Sequence, residues 1–389
     1  MFVVTGDAVA VPRSFVTYAG NVGIKDASPD LAIVASELPC TADGVFTKSL
    51  FAGPSVLLCR RHLEEGSARA IVTVSKNANV ATGADGERDA AELASLAAGA
   101  IGCDAGDVLV ASTGVIGRRY PMERLRAHFQ IFNMPTTADF PSFARAIMTT
   151  DTRPKLASAR AGEATVTGVA KGSGMIEPDM ATLLGYVFTD AAVPRAALVG
   201  MFRRAVDSTF NCLSIDTDTS TSDSVIVLAN GAAGPVDSEE LERAVHAVCR
   251  SLTLQLAADG EGATRVIQVN VRSARDARQA KRVAKAVVNS PLVKCAVHGA
   301  DPNWGRVVMA IGKCWQDQDI KADQVSVSFG RFEVYPRPLD EADLGRLGEI
   351  MSSDMVEIDI RLATGQAEAT VWGCDLSSDY VHINADYTT

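Results

Sequence analysis

Histidine and paired cysteine, the usual ligands of a structural metal, are scarce in this chain. The five histidines stand far apart, at positions 62, 128, 246, 298 and 382. Eight cysteines, at 40, 59, 103, 212, 249, 295, 314 and 374, form no Cys-x-x-Cys pair. Thiols scattered this way in a long chain exclude a disulfide framework and a zinc site, and read as mostly buried free cysteines of a reducing cytoplasm. No run approaches the roughly 18 apolar residues that a membrane span requires. The opening stretch MFVVTGDAVAVPRSF has no basic segment followed by an apolar one, so a signal peptide is not expected. Basic clusters are missing too: 37 Lys and Arg face 47 Asp and Glu, a net charge of −10. That balance argues against nucleic acid or an anionic membrane as partner. There is no GxxxxGK[ST] loop, no GxSxG elbow and no HExxH helix, so nucleotide, serine-hydrolase and zinc-protease chemistries lack their signatures. Gly172-Ser-Gly174 alone is a tight turn rather than a phosphate cradle.

What remains is an ordinary globular composition over 389 residues, 47% hydrophobic and 22% charged, long enough for two or three domains or lobes. Strand-like and helix-like runs alternate. Segments 70–75, 107–112 and 182–190 read as buried strands. A helix with Pro194 in its first turn should follow the third, burying Leu198, Met201, Phe202 and Ala205. Asp237 and Glu240 have capping-box spacing and open a helix with a stripe of Leu241, Val245, Val248, Leu252 and Leu256. A strand (265–271), a helix (about 275–288), a shorter helix after Trp304, and period-2 strands through 324–335, 355–362 and 367–372 complete the pattern. The class expected is α/β (α+β), a central mixed sheet with helices and a smaller C-terminal lobe at about 235–345.

The stretch that carries chemistry is Lys171-Gly-Ser-Gly-Met-Ile-Glu-Pro-Asp-Met-Ala-Thr-Leu-Leu184. A glycine turn leads through Pro178 to Thr182, at the head of a buried strand. A threonine so placed can attack the preceding carbonyl, and water can open the resulting ester. The freed α-amine, with a reference pKa of about 7.7–8.0, then accepts the hydroxyl proton near neutral pH. The dipeptide alone decides nothing, because Ala-Thr recurs at 81–82, 164–165, 263–264, 363–364 and 369–370.

The wider pattern resembles the ornithine acetyltransferase (glutamate N-acetyltransferase) family, whose self-processing site has the form KGSGMI followed by P-x-MAT-L/M-L. The resemblance runs nearly end to end. It takes in Gly44-Val-Phe-Thr47, Asn77-Ala-Asn79 with Thr82-Gly83, Ser112-Thr-Gly-Val-Ile-Gly117 and Met148-Thr-Thr-Asp-Thr-Arg-Pro-Lys155. It continues through 216–223 (DTDTSTSD), Glu261-Gly-Ala-Thr264, Asp301-Pro-Asn-Trp-Gly-Arg306 and Tyr387-Thr-Thr389. Ala81 stands where many members carry Cys, IDTDTSTSD where VDGDTSTND is usual, and His298-Gly-Ala300 where a Gly-Arg pair precedes DPNWGR. In these features the chain looks like the ornithine acetyltransferase-like proteins of clavulanic acid-type gene clusters.

The resemblance implies an N-terminal-nucleophile-type fold, cleavage of Ala181–Thr182, and fragments 1–181 (α) and 182–389 (β) that associate as α2β2. It implies Thr182 as nucleophile, Thr113 and Gly114 as the oxyanion hole, and Thr149, Lys171, Thr182, Glu261, Asn384 and Thr389 as substrate-binding residues. The implied reaction is ping-pong transfer of acetyl from N-acetylornithine to glutamate, without cofactor or metal, in the cytoplasm and in arginine biosynthesis. Asp216, Asp218 and Asp223 are read as hydrogen-bonding and turn residues, not cation ligands. Three alternatives stay open: an aminopeptidase or amidase on the same scaffold, an acetyltransferase for a related amino acid in secondary metabolism, and an unprocessed, non-catalytic homologue.

Overall fold

The strand Leu184–Ala192 shows how the centre of the molecule is built. It is buried on both faces, as a near-continuous apolar run in a central strand requires. Tyr186 and Phe188 turn to one side, where they meet Phe15, Phe140 and Phe143 with ring centroids 5.4–6.5 Å apart. The Tyr186 hydroxyl is satisfied by Thr73 Oγ1 at 2.9 Å. Val187 and Ala191 turn to the other side, onto a layer that includes Leu198, Met201 and Phe202 of helix Arg195–Ser208 and Val245, Val248 and Leu252 of helix Ser238–Ala258. Each large side chain buried in these layers contributes about 1.5–3 kcal/mol relative to exposure.

The computed structural model describes residues 1–177 and 183–386. Among them, a nine-stranded mixed sheet runs in the order Val3–Thr5, Lys155–Ala161, Ala164–Lys171, Leu184–Ala192, Ser224–Pro235, Leu31–Phe46, Ser67–Val74, Val108–Ser112, with Phe15–Gly20 paired to Leu31–Phe46. Leu184–Ala192 is parallel to Ser224–Pro235 and antiparallel to Ala164–Lys171. Helix Ser238–Ala258 begins at the expected cap, the Asp237 carboxylate accepting from Glu240 N at 2.8 Å, but the Glu240 side chain does not return the bond that a capping box requires. It lies so close to the sheet that a Cβ on Gly168 would come within 2.5 Å of Val248 Cγ1 and 2.7 Å of Leu252 Cδ1. Only glycine permits that approach.

A second, six-stranded sheet has the order Phe332–Tyr335, Ser326–Phe329, Met355–Arg361, Val266–Ala274, Ala367–Cys374, Leu213–Ser214, with helix Ala277–Val288 packed against it. Segment 324–335, expected as one strand, is a hairpin that turns at Gly330. The strands at 355–361 and 367–374, beyond the expected lobe limit of 345, flank Val266–Ala274 in register: Val269 lies opposite both Ile358 and Val371. A central strand needs a partner on each edge, and these two supply them. One apolar core joins the two sheets, since Val187 and Ile358 belong to the same cluster. Six of the eight cysteines are buried and unpaired; Cys295 is exposed and Cys103 intermediate. No helix among the described residues is long and apolar enough to cross a membrane.

Candidate active site

Lys171 ends the strand Ala164–Lys171 and stands opposite Leu184, the first residue of the next strand. The chain between them leaves the sheet and is pinned where it does so. The Asp216 carboxylate accepts from Met175 N at 2.6 Å and from Ile176 N at 2.7 Å. Ile215 N donates to Ile176 O at 2.7 Å, Glu177 N to Asp218 O at 2.9 Å, and Ser224 N to Leu183 O at 3.0 Å. The acidic segment 215–224 thus grips the loop on both sides of residues 178–182. Asp216 does so through hydrogen bonds to backbone, the use that alternating Asp and Thr suggest.

Thr113 follows the strand Val108–Ser112 and ties back through its N–H to Val74 O at 3.1 Å. Gly114 beside it has φ +124°, and a Cβ there would collide with the backbone of Lys76 and Asn77. A side chain is therefore excluded at the turn. The Lys171 ammonium donates to Thr113 Oγ1 at 3.0 Å. A protonated amine has no acceptor, so the Thr113 hydroxyl proton is directed elsewhere. Burial holds the Lys171 amine below the ordinary lysine value; the Asp151, Asp223 and Glu261 carboxylates oppose this shift and the Lys155 cation adds to it.

Asp151 organises the far side of Lys171. Its carboxylate accepts from Lys155 Nζ at 2.6 Å, Gly172 N at 2.6 Å and Thr149 N at 3.1 Å. Burial opposes its ionisation, but the Lys155 and Lys171 cations and these hydrogen bonds prevail and hold the carboxyl at about 2. Lys155 is fully buried and is also paired to Asp259 at 2.5 Å. Thr150 Oγ1 lies 2.6 Å from Ser173 Oγ, which joins this network to the glycine turn.

Glu261 enters from the turn after helix Ser238–Ala258. Its N–H donates to Ser173 O at 2.8 Å, and its Oε2 accepts from Asn384 Nδ2 at 2.8 Å, on helix Ser378–Asp386. These groups share one cavity of about 370 Å³. Thr113, Gly114, Thr149, Lys171, Glu261 and Asn384 all line it, together with Leu183 and Leu184. Every described member of the expected site is therefore in one place, although the residues span 113 to 384. Ala181, Thr182 and Thr389 lie outside the described residues. Sequence reasoning missed Thr150 and Ser222 and read Asp223 only as a hydrogen-bonding and turn residue; all three also line the cavity. Ser222 Oγ is buried there without a hydrogen-bond partner among the described residues. The signal was present in the Thr-Thr-Asp-Thr and Asp-Thr-Ser-Thr-Ser-Asp runs, but which hydroxyls face inward depends on the fold.

Comparison with known proteins identifies the family. The ArgJ family model matches residues 17–389. The chain belongs to the ArgJ family. Among curated ArgJ relatives, the arginine biosynthesis bifunctional protein ArgJ 2 of a Nostoc species is 54% identical over 383 residues, covering 98% of this chain and 99% of the relative. Glutamate N-acetyltransferase Oat2 of Streptomyces clavuligerus is 51% identical over 385 residues, covering 97% and 98%. A solved structure of the ArgJ protein from Bacillus halodurans is similar at 35% identity and a TM-score of 0.49, over 52% of this chain and 98% of that one.

Proposed function

We propose that this ArgJ family protein is a glutamate N-acetyltransferase that moves acetyl from N2-acetyl-L-ornithine to L-glutamate through an ester on Thr182. The observation that carries the reading is the shared cavity, which gathers Thr113, Gly114, Thr149, Lys171, Glu261 and Asn384 beside Leu183, the residue next to Thr182 in the chain. Chain maturation comes first. The Thr182 hydroxyl adds to the Ala181 carbonyl and the peptide C–N bond breaks, which frees the Thr182 amine; water then hydrolyses the ester to give the Ala181 carboxylate and the free Thr182 hydroxyl. Cleavage leaves both halves in one sheet: 164–171 of the first fragment pairs with 184–192 of the second, and 224–235 of the second with 31–46 of the first. The fragments therefore stay associated, and we place them in an α2β2 assembly.

In the donor half-reaction the Thr182 oxygen attacks the acetyl carbonyl while its own amine takes the proton. The oxyanion receives hydrogen bonds from the Thr113 hydroxyl, polarised by Lys171, and from Gly114 N–H. Collapse breaks the amide C–N bond, and the proton moves from the Thr182 amine to the leaving nitrogen of ornithine. The neutral glutamate amine then attacks the acetyl ester, giving its proton to the Thr182 amine; the acyl C–O bond breaks, the Thr182 oxygen takes that proton back, and N-acetylglutamate leaves. Lys171 suits the substrate α-carboxylate and Glu261 the side-chain ammonium, with Asn384 and Thr389 closing the pocket. The name of the Streptomyces relative supports the reaction and that of the Nostoc relative a place in arginine biosynthesis; we place the protein in the cytoplasm. Incubation with N-acetylornithine and glutamate, without acetyl-CoA, should yield N-acetylglutamate, and intact mass spectrometry should find a fragment that begins at Thr182 and carries acetyl. Net hydrolysis would favour the amidase alternative. An intact chain without acyl group would sink the proposal.

A further inference from the structure

Glu261 and Asn384 meet from segments more than a hundred residues apart, and a single buried carboxylate braces the turn that carries the first and immediately precedes the helix that carries the second. Asp375, 2% exposed, follows the strand Ala367–Cys374. Its Oδ1 accepts from Thr264 N at 2.7 Å and Arg265 N at 2.9 Å; its Oδ2 lies 2.5 Å from Thr264 Oγ1 and 2.7 Å from His298 Nδ1. Asp375 N in turn donates to Arg265 O at 3.1 Å. Thr264 is three residues beyond Glu261, so these bonds fix the turn that presents it. Two residues past Asp375, Ser377 Oγ donates to Gly262 O at 2.6 Å and accepts from Asp379 N at 3.2 Å, opening the helix that carries Asn384. A Cβ on Gly262 would come within 2.5 Å of Tyr380 N, so turn and helix are in close contact. Four donors on one buried carboxylate, linking two segments that converge on one cavity wall, make a more specific arrangement than the core requires.

We infer that Asp375, braced by Thr264 and His298, is a positioning residue that sets selectivity for the cationic end of the donor substrate by fixing Glu261 against Asn384. The inference rests on the acetyl-transfer reading above. Asp375 touches neither the cavity nor the reacting atoms; it acts through Glu261. Asp375→Asn leaves Oδ1 for the two backbone N–H groups but replaces the acceptor facing Thr264 and His298 by an amide donor. KM for N-acetylornithine should rise roughly tenfold, the scale on which one charge-assisted hydrogen bond counts, with kcat and the KM for glutamate held within about twofold. In a Glu261→Gln background the same substitution should add little, because its effect passes through that carboxylate. A merely structural role would lower kcat, affect both substrates and add in the double variant; that pattern overturns the inference. Thr264→Val and His298→Ala each remove a single brace and should shift the same KM in the same direction. If Asp375→Asn does not fold, unchanged KM values in these two refute it. Should Glu261→Gln itself leave N-acetylornithine kinetics untouched, the substrate assignment fails, a result distinct from failure of the positioning role.

Discussion

Replacing Glu261 by glutamine separates charge from shape at the proposed amine-binding end of the cavity. The Glu261 N–H is held by Ser173 O, and its Oε2 by Asn384 Nδ2, both at 2.8 Å. Glutamine retains an oxygen for Asn384 and the same backbone bond, so the cavity wall should stand. What disappears is an anion. Truncating one partner of a buried, hydrogen-bonded charge pair costs about 2–5 kcal/mol. Glu261 is only half-buried, so the lower end applies. About 2 kcal/mol corresponds to a roughly thirtyfold loss in kcat/KM for N-acetylornithine. Glutamate carries a side-chain carboxylate where ornithine carries an ammonium, so its half-reaction should not weaken.

The two halves can be measured separately, by acetylation of the processed enzyme with N-acetylornithine and by deacetylation with glutamate. A pH effect should accompany the substitution. Lys171 titrates below the ordinary lysine value because it is buried, and Glu261 is one of the carboxylates that resist this. Without that anion the Lys171 amine loses its proton at lower pH still, so the alkaline limb of kcat/KM should move to lower pH. Cleavage before Thr182 should proceed, since it requires no substrate amine. Equal losses in both half-reactions, or unchanged acetylation by N-acetylornithine, would refute the assignment of Glu261 to the ammonium.

Other substitutions test the remaining parts of the site. Thr113→Ala removes one proposed oxyanion donor and should cost about 2.7–4 kcal/mol in acetyl transfer, read as kcat, with the melting temperature unchanged; a normal kcat would remove Thr113 from the mechanism. Asp151→Asn leaves the fully buried Lys155 with Asp259 as its one carboxylate partner among the described residues, and breaking a buried pair of this kind costs about 3–5 kcal/mol. Because the Asp151 carboxyl is held at about 2, its contribution is complete above the unfolded value of about 3.9 and is lost as pH falls through the folded one. The gap in melting temperature between wild type and variant should therefore narrow from pH 5 toward pH 2. Thr217 is β-branched at φ +71°, strain worth about 1–3 kcal/mol. Thr217→Gly relieves it against about 0.5–1 kcal/mol of added chain entropy, so thermal melts should show a higher midpoint; a lower one would mean that the Thr217 side chain makes contacts that outweigh the strain.

Elements with a strong apolar period were legible in the sequence. The stripe from Leu241 to Leu256 is buried on helix Ser238–Ala258, and Leu198, Met201, Phe202 and Ala205 are buried on Arg195–Ser208. Periodicity reports only which face is apolar, and that information sufficed. It was insufficient where a turn interrupts a strand pattern, as at Gly330: the apolar positions pass from Val327 and Phe329 to Phe332 and Val334, a shift of one residue too small to separate two strands until their pairing is seen. It also failed to set a lobe limit. The pairing of Val266–Ala274 with both Met355–Arg361 and Ala367–Cys374 is a long-range choice, and nothing in the local composition near 345 marks it.

The site was legible for a different reason. Lys171, Glu261 and Asn384 are ordinary surface residue types taken one at a time, and only motif order set them apart. Their meeting depends on three loop anchors that composition does not mark as such. Asp216 holds the glycine turn by two N–H groups, Asp151 holds Gly172 and Thr149, and Asp375 holds the Glu261 turn. In each case a carboxylate accepts backbone N–H groups that the loop would otherwise leave unpaired, and such satisfaction is obligatory in a buried loop. The acidic residues of this site therefore divide by role. Asp151, Asp216 and Asp375 have their acceptor capacity taken up by the backbone and by neighbouring side chains. Glu261, which gives one oxygen to Asn384 while lining the cavity, still has an oxygen available for a substrate cation.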